Sequence, residues 1–243
     1  MSPARQNHAR RLARMKTILS GLLLMGFVQG VIAQTTWLIN NTTNIGGHAV
    51  TVRGNPQIVH TPDGDAVRFN GINDGLIVSA NPLAGMSNLT VELIFKHDPL
   101  SVPKANAPRI VHLETPGGSA VAHRFTLETR VATNTTPHTY FLDSFLHFGD
   151  AEDFRLTLFN NKFPHPVGEW SHMAVTYNGT NFCNYVNGQL ELCGQMKGMV
   201  FADGGVTAIG QRANNTGYFE GEVRALRFTP RVLGPNEFLR VQP

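Results

Sequence analysis

Apolar and polar side chains alternate, residue by residue, along most of the chain, and each run stops where the backbone can turn sharply. TVELIFK at 90–96 and RFTLETRV at 124–131 are two such runs. A period of two sends successive side chains to opposite faces of a strand, one buried and one solvated. Shorter runs lie at 67–69, 75–79, 109–113, 140–148, 154–159, 172–177, 182–186, 190–193, 206–210 and 221–228. Between them stand Asp63-Gly64, Asn70-Gly71, Asp74-Gly75, Asn178-Gly179, Asn187-Gly188 and Asp203-Gly204. Gly and Asn tolerate the left-handed backbone that tight hairpins need. Only GPNEFL at 234–239 reads as a helical turn, with Pro at its first position. A chain that is 42% hydrophobic is not disordered, and one that is 15% charged with 24 Gly is not a coiled coil. Residues 34–243 therefore read as one all-β domain, a two-sheet antiparallel sandwich.

The formal charge of +3 invites a nucleic-acid or acidic-surface partner until the charges are located. Arg5, Arg10, Arg11, Arg14 and Lys16 precede an apolar stretch at 18–33 that ends Val31-Ile32-Ala33. This is the layout of a signal peptide, with Gln34 the expected mature N-terminus. Met15 alone suffices to start a compact signal, leaving residues 1–14 as a cytosolic extension or an overlong start. An uncleaved anchor is the competing reading, but Ser20, Gly21, Gly26, Gln29 and Gly30 interrupt the stretch. It falls short of the roughly 20 apolar residues a span needs. Removing residues 1–33 takes 5 of 20 basic residues and none of 17 acidic ones, leaving 15 against 17, a net of −2. The domain organisation expected is a removed leader at 1–33 and a mature domain at 34–243, secreted, or periplasmic in a bacterium. Nucleic acid is not an expected partner, and neither is a stable membrane span after cleavage.

Several segments, in order, resemble the laminin G-like (LamG) jelly rolls of the concanavalin A-like lectin/glucanase superfamily. They are GDAVRFNG at 64–71 with DGLIV at 74–78, LTVELIFK at 89–96, and GEWSHMAVTYNG at 168–179. NYVNG at 184–188, AIGQR at 208–212, FEGEVR at 219–224 and LGPNE at 233–237 complete the resemblance. It implies a jelly-roll sandwich of two antiparallel sheets, with ligands met on a concave face or at the rim. It does not imply one activity, because the superfamily holds lectins, adhesion modules and glycoside hydrolases. It also makes calcium a cofactor to consider. Asp63, Asp65, Asn73, Asp74, Asp150 and Asp153 offer oxygen ligands, yet their spacing shows no convergence of the six to eight oxygens calcium takes.

Enzyme signatures are missing. No Glu-x-Asp-x-x-Glu strand of the superfamily's glucanases occurs, nor a Gly-x-Ser-x-Gly elbow, a phosphate loop or a His-Glu-x-x-His pair. Alternation does set Glu92 and Lys96 on one strand face and His112 with Glu114 on another. It groups Arg124, Glu128 and Arg130, then Asp143 and His147. If these strands are neighbours, Glu92, His112, Glu128, Arg130 and Asp143 share one face. Arg and carboxylates make planar hydrogen bonds to sugar hydroxyls or acidic groups. A pair such as Glu92 and Glu128 would serve as acid and base only at the right separation. The same pattern also fits a solvated face laced with weak ion pairs. Among aromatic platforms for sugar stacking, Trp170 reads as packing, while Trp37 is free to edge a sheet. Tyr140, Tyr218 and Phe219 are the other candidates. With 2 Trp and 4 Tyr, a small or acidic glycan or a protein surface fits better than crystalline polysaccharide.

Cys183 and Cys193 flank the Asn187-Gly188 turn, and two rules disagree about them. Secretion favours a disulfide, whereas a two-residue turn would set Cys183 opposite Leu192. That register puts Cys183, Tyr185, Leu190 and Leu192 on one side. A disulfide instead requires an odd loop or a bulge. Asn40, Asn41, Asn88, Asn134, Asn178 and Asn214 each begin an Asn-x-Thr sequon, usable only in a eukaryotic secretory pathway. The resulting reading is a secreted binding module, with a glycan or an extracellular protein as partner and carbohydrate the leading ligand class. A glycoside hydrolase or lyase of the same superfamily, and a protein-interaction or structural module, are the alternatives.

Overall fold

The computed structural model describes residues 33–98, 107–117, 122–148 and 154–241; the basic leader, Asp150 and Asp153 lie outside the described residues. Two antiparallel sheets face one another. Sheet 1 runs β15 (Gln189–Gln195), β14 (Asn181–Val186), β13 (Trp170–Tyr177), β7 (Leu89–His97), β17 (Glu220–Thr229), β5 (Gly64–Asn70) and β4 (Gln57–Thr61), with β1 (Thr35–Leu38) also on β17. Sheet 2 runs β11 (Arg155–Phe159), β10 (Thr139–His147), β9 (Arg124–Ala132), β8 (Arg109–Glu114), β16 (Val206–Ile209), β6 (Gly75–Val78), β3 (His48–Arg53) and β2 (Asn44–Ile45). The short β12 (His165–Pro166) joins it on β10. Spatial order departs from chain order: β7 lies between β13 and β17, and β16 between β6 and β8. These crossovers make the sandwich a jelly roll. Among the described residues, no helix is long and apolar enough to cross a membrane.

One face of each sheet is buried against the other. Phe95 of β7 meets Tyr140 of β10 edge-on at 5.5 Å, and Phe125 of β9 meets Phe182 of β14 at 6.5 Å. Each such ring removes 150–250 Å² from water and holds the two sheets together. Polar cross-links add direction to this packing. Ser144 Oγ donates to Asn184 Oδ1 at 2.6 Å, and Asn184 Nδ2 donates to the Leu158 carbonyl at 3.2 Å. His97 lies 2.9 Å from Thr129 Oγ1 across the interior; burial pushes the imidazole down to about 3, so it stays neutral.

The β14–β15 hairpin reconciles the two cysteine rules. Asn187 and Gly188 both have left-handed φ, 48° and 81°, the backbone of a two-residue hairpin turn. Val186 pairs with Gln189 and Tyr185 with Leu190, then a bulge shifts the register so that Asn184 faces Leu192. That extra residue brings Cys183 opposite Cys193, and they form a disulfide. The tight turn is present, but the shared side expected for Cys183, Tyr185, Leu190 and Leu192 is not. Past the bulge Leu192 packs on the core while Leu190 remains 55% exposed.

Candidate functional site

Cross-strand register assembles the outer face of sheet 2. Asp143 of β10 stands opposite Glu128 of β9, which stands opposite Arg109 of β8. The next row is Phe145, Thr126 and His112; the one beyond is His147, Arg124 and Glu114. Inward neighbours Leu113, Phe125, Leu127, Leu142 and Leu146 fill the core. His112, Glu128, Arg130 and Asp143 therefore share one face.

Glu92 does not. It belongs to β7 in sheet 1, so the expected five-residue face loses one member. Alternation along β7 correctly turns Glu92 away from the core, but toward the outer side of the other sheet. There the C-terminal segment covers it. Its Oε1 accepts from the Leu239 N–H at 2.7 Å and lies 3.1 Å from His172 Nε2, and its Oε2 accepts from Arg227 Nε. Burial raises the carboxyl, yet the hydrogen bonds from His172, Arg227 and Leu239 together hold it below its ordinary value. Glu92 anchors the chain end and cannot pair with Glu128 as acid and base.

Around Glu128 the chemistry is concentrated. Arg109 Nε lies 2.8 Å from Glu128 Oε2, but off the N–H axis, so the contact is an ion pair without a directed hydrogen bond. Arg130 Nε donates to Asp143 Oδ2 at 2.7 Å. Burial pushes Glu128 up to about 7, with Asp143 adding to the rise and Arg109 and Arg130 opposing it. Asp143 is also raised, chiefly by burial, against the pull of Arg130. The two carboxyls stand directly opposite one another across the β9–β10 pair. Like charges so placed resist ionising together, which adds to the effect of burial on Glu128.

A depression of about 150 Å³ opens on this face, lined by Arg109, His112, Arg124, Thr126, Glu128, Phe145 and Arg212. His112 is buried, and its Nδ1 accepts from the Ala213 N–H at 3.4 Å. Nε2 therefore carries the proton; it stands 3.6 Å from Glu114, beyond hydrogen-bond reach. Burial first, then the guanidiniums of Arg212, Arg109 and Arg124, push His112 down to about 3, so it is a neutral donor.

Aromatic rings flank the same face, and they are not the ones alternation suggested. Trp37, Tyr140 and Phe219 are all buried in the core, and Tyr218 hydrogen-bonds locally to the Asn215 carbonyl. Trp170 lies instead on the outer side of sheet 1, against Lys96 and Arg224 at 5.2 and 4.9 Å. Phe159, 38% exposed, lies under Arg130 at 4.9 Å, and half-buried Phe145 under Arg124 at 5.4 Å. Their strand positions, Phe145 opposite Thr126 of β9 and Phe159 opposite Asp143 of β10, were the missing signal. A larger recess of about 300 Å³ is lined by His123, Phe148, Phe154, Met196, Lys197 and Met199. It is apolar and offers few groups to orient a polyol.

The described calcium candidates are engaged within the protein. Asp74 accepts from the Asn55 and Asn70 N–H groups, Asp63 from Arg224, and Asn73 from Asn70 Nδ2; Asp65 lies 2.6 Å from His60. Among the described residues no group of three or more His, Cys, Asp or Glu is arranged to hold a metal. These donors do not fit a calcium ion.

Two facing antiparallel sheets with a polar, ring-flanked outer face define a lectin-type jelly roll. Residues 70–238 match the Laminin_G_3 model of the concanavalin A-like lectin/glucanases superfamily, and the chain belongs to that family. No curated protein matches it. Among solved structures, it is similar to domain 4 of AbnA, a GH43 extracellular arabinanase from Geobacillus stearothermophilus, in complex with arabinotriose. That likeness has 18% identity and a TM-score of 0.61, covering 84% of this chain and 96% of the other. The botulinum neurotoxin serotype D binding domain matches at 15% identity and TM-score 0.59, over 85% of this chain and 50% of its own. A botulinum neurotoxin type C structure, whose cell entry depends upon interaction with two ganglioside molecules, matches at 14% and 0.55, over 84% and 49%. The chain thus spans about half of these toxin chains. At such identities the likeness is one of fold.

Proposed function

We propose that this domain is a non-catalytic carbohydrate-binding module and that the outer face of sheet 2 is its ligand face. One observation carries the reading: register places Arg109, Arg130, Glu128 and Asp143 beside Phe145 and Phe159 on one surface. Guanidiniums and carboxyls supply directional bonds to hydroxyls, and rings supply flat apolar area for a sugar's C–H face. The arabinotriose complex and the ganglioside interaction of its structural neighbours support the same ligand class. The domain is read as secreted behind the basic leader, a reading that the Cys183–Cys193 disulfide favours because such bonds persist in oxidising compartments. A glycan array probed with and without calcium tests the function. Retention of a discrete oligosaccharide set, lost on Phe159→Ala together with Arg130→Ala, is expected. Absence of any ligand under both conditions overturns it.

A further inference from the structure

The depression on sheet 2 has a charge left over. Arg109 lies 2.8 Å from Glu128, and Arg124 stands opposite Glu114, its register partner, whose charge favours the guanidinium. Arg212, in the segment following β16, is partly buried and lines the same depression. Among the described residues no carboxylate pairs with it. It is nonetheless near enough to His112 and Arg124 to disfavour a charge on either. Three guanidiniums therefore surround a neutral imidazole N–H donor. Burial pushes Glu128, the acid in the lining, up to about 7.

Crowding like charges at a partly desolvated surface is unfavourable unless a counter-charge enters. The planar fork of an Arg matches a carboxylate, which it binds through two parallel hydrogen bonds. At about 150 Å³ the depression lies below the size that encloses a whole small-molecule ligand, so it takes one substituent of a sugar. We propose that it seats the carboxylate of an acidic sugar, a uronate, and that Arg212 is the specificity-determining charge. This deepens the carbohydrate-binding reading and rests on it. Asp143 stays engaged with Arg130, while Glu114 stands opposite Arg124 and 3.6 Å from His112. Neutral sugars would use the flanking rings but leave Arg212 uncompensated.

The test uses paired probes: galacturonate, glucuronate and mannuronate oligosaccharides, each beside its fully methyl-esterified form. Each pair differs in charge and by one methyl group, and Arg212→Met separates the two effects. Calorimetric titration into the wild type, Arg212→Met and Arg212→Lys at low salt reads the preference. For at least one uronate, the acid form should bind at least about 10-fold tighter than its ester. Arg212→Met should abolish that preference while leaving ester binding unchanged, and Arg212→Lys should keep part of it. Unchanged melting of the variants confirms folding. If esters bind as well as acids, or Arg212→Met leaves the preference intact, the uronate inference falls while glycan binding stands. If no oligosaccharide of either charge binds, the uronate inference falls, and the glycan array alone decides whether carbohydrate binding falls with it.

Discussion

Replacing Glu128 with Gln isolates the energetic signature of the buried carboxyl pair. Glu128 ionises near its ordinary 4.5 in the unfolded chain and at about 7 in the fold. Its side chain is 7% exposed, so solvent screening discounts little of that difference. Between those two values the folded state holds a proton that the unfolded chain has released. Stability must then fall as pH rises, by about 1.4 kcal/mol for each pH unit. The decline starts near pH 4.5, levels off above about 7, and totals roughly 3 kcal/mol. The groups facing Glu128 are Arg109 and His112 from β8, Asp143 from β10, Arg124 and Arg130 from its own strand, and Arg212. Of these, His112 stays neutral throughout. Asp143 titrates in both proteins and, apart from its coupling to Glu128, cancels on subtraction. Urea denaturation of wild type and Glu128→Gln across about pH 5 to 8.5, at fixed ionic strength, gives the difference directly. Relative to the variant, the wild type should lose roughly 2.5 kcal/mol across that range. A flat difference, or a wild type that gains with pH, would refute a carboxyl raised by burial.

Glu92→Ala should cost about 3–5 kcal/mol, because it leaves Arg227 and His172 without their buried acid. It should also make the segment beyond Leu233 protease-labile, and a stability loss below about 1 kcal/mol in denaturation would count against the anchor role. The Glu92 carboxyl lies below 4.5, so its contribution is present above that pH and fades as pH falls, which acid unfolding of the two proteins will show. Replacing both cysteines by Ser should cost about 2–3 kcal/mol from the 10-residue separation, measured as a drop in denaturation midpoint with the fold retained. Phe159→Ala should weaken glycan binding roughly five-fold by calorimetry while changing stability by no more than about 0.5 kcal/mol, since the ring is already partly exposed.

Strand and face were legible in the sequence where one side chain in two meets a core. In β7 and β9 the alternation is nearly uninterrupted, and the structure extends each expected strand by only a residue or two at its ends. The chain before Asp63 was not legible, because β3 and β4 lie at sheet margins with mostly exposed side chains and no alternation in burial to reveal them. The deeper limit is that alternation reports which side of its own strand a residue occupies, but not which sheet holds the strand. Glu92 and Glu128 have the same local pattern, yet crossovers send β7 into sheet 1 and β9 into sheet 2. One carboxylate becomes an anchor for the C-terminal segment, lowered by its hydrogen bonds, and the other is raised by burial opposite Asp143. Their opposite pKa displacements follow from neighbours contributed by chain segments far away in sequence: Leu239 for Glu92, and Asp143 across a hairpin, with burial, for Glu128. Arg212 makes the same point from the other side. Nothing local marks it, since AIGQR reads as the end of a strand and a turn. Its meaning arises only where β16 delivers it beside β8, between guanidiniums whose acids are already taken. A site on such a sandwich is therefore a property of register across several strands. The residue worth testing first is the one whose charge that register leaves unanswered.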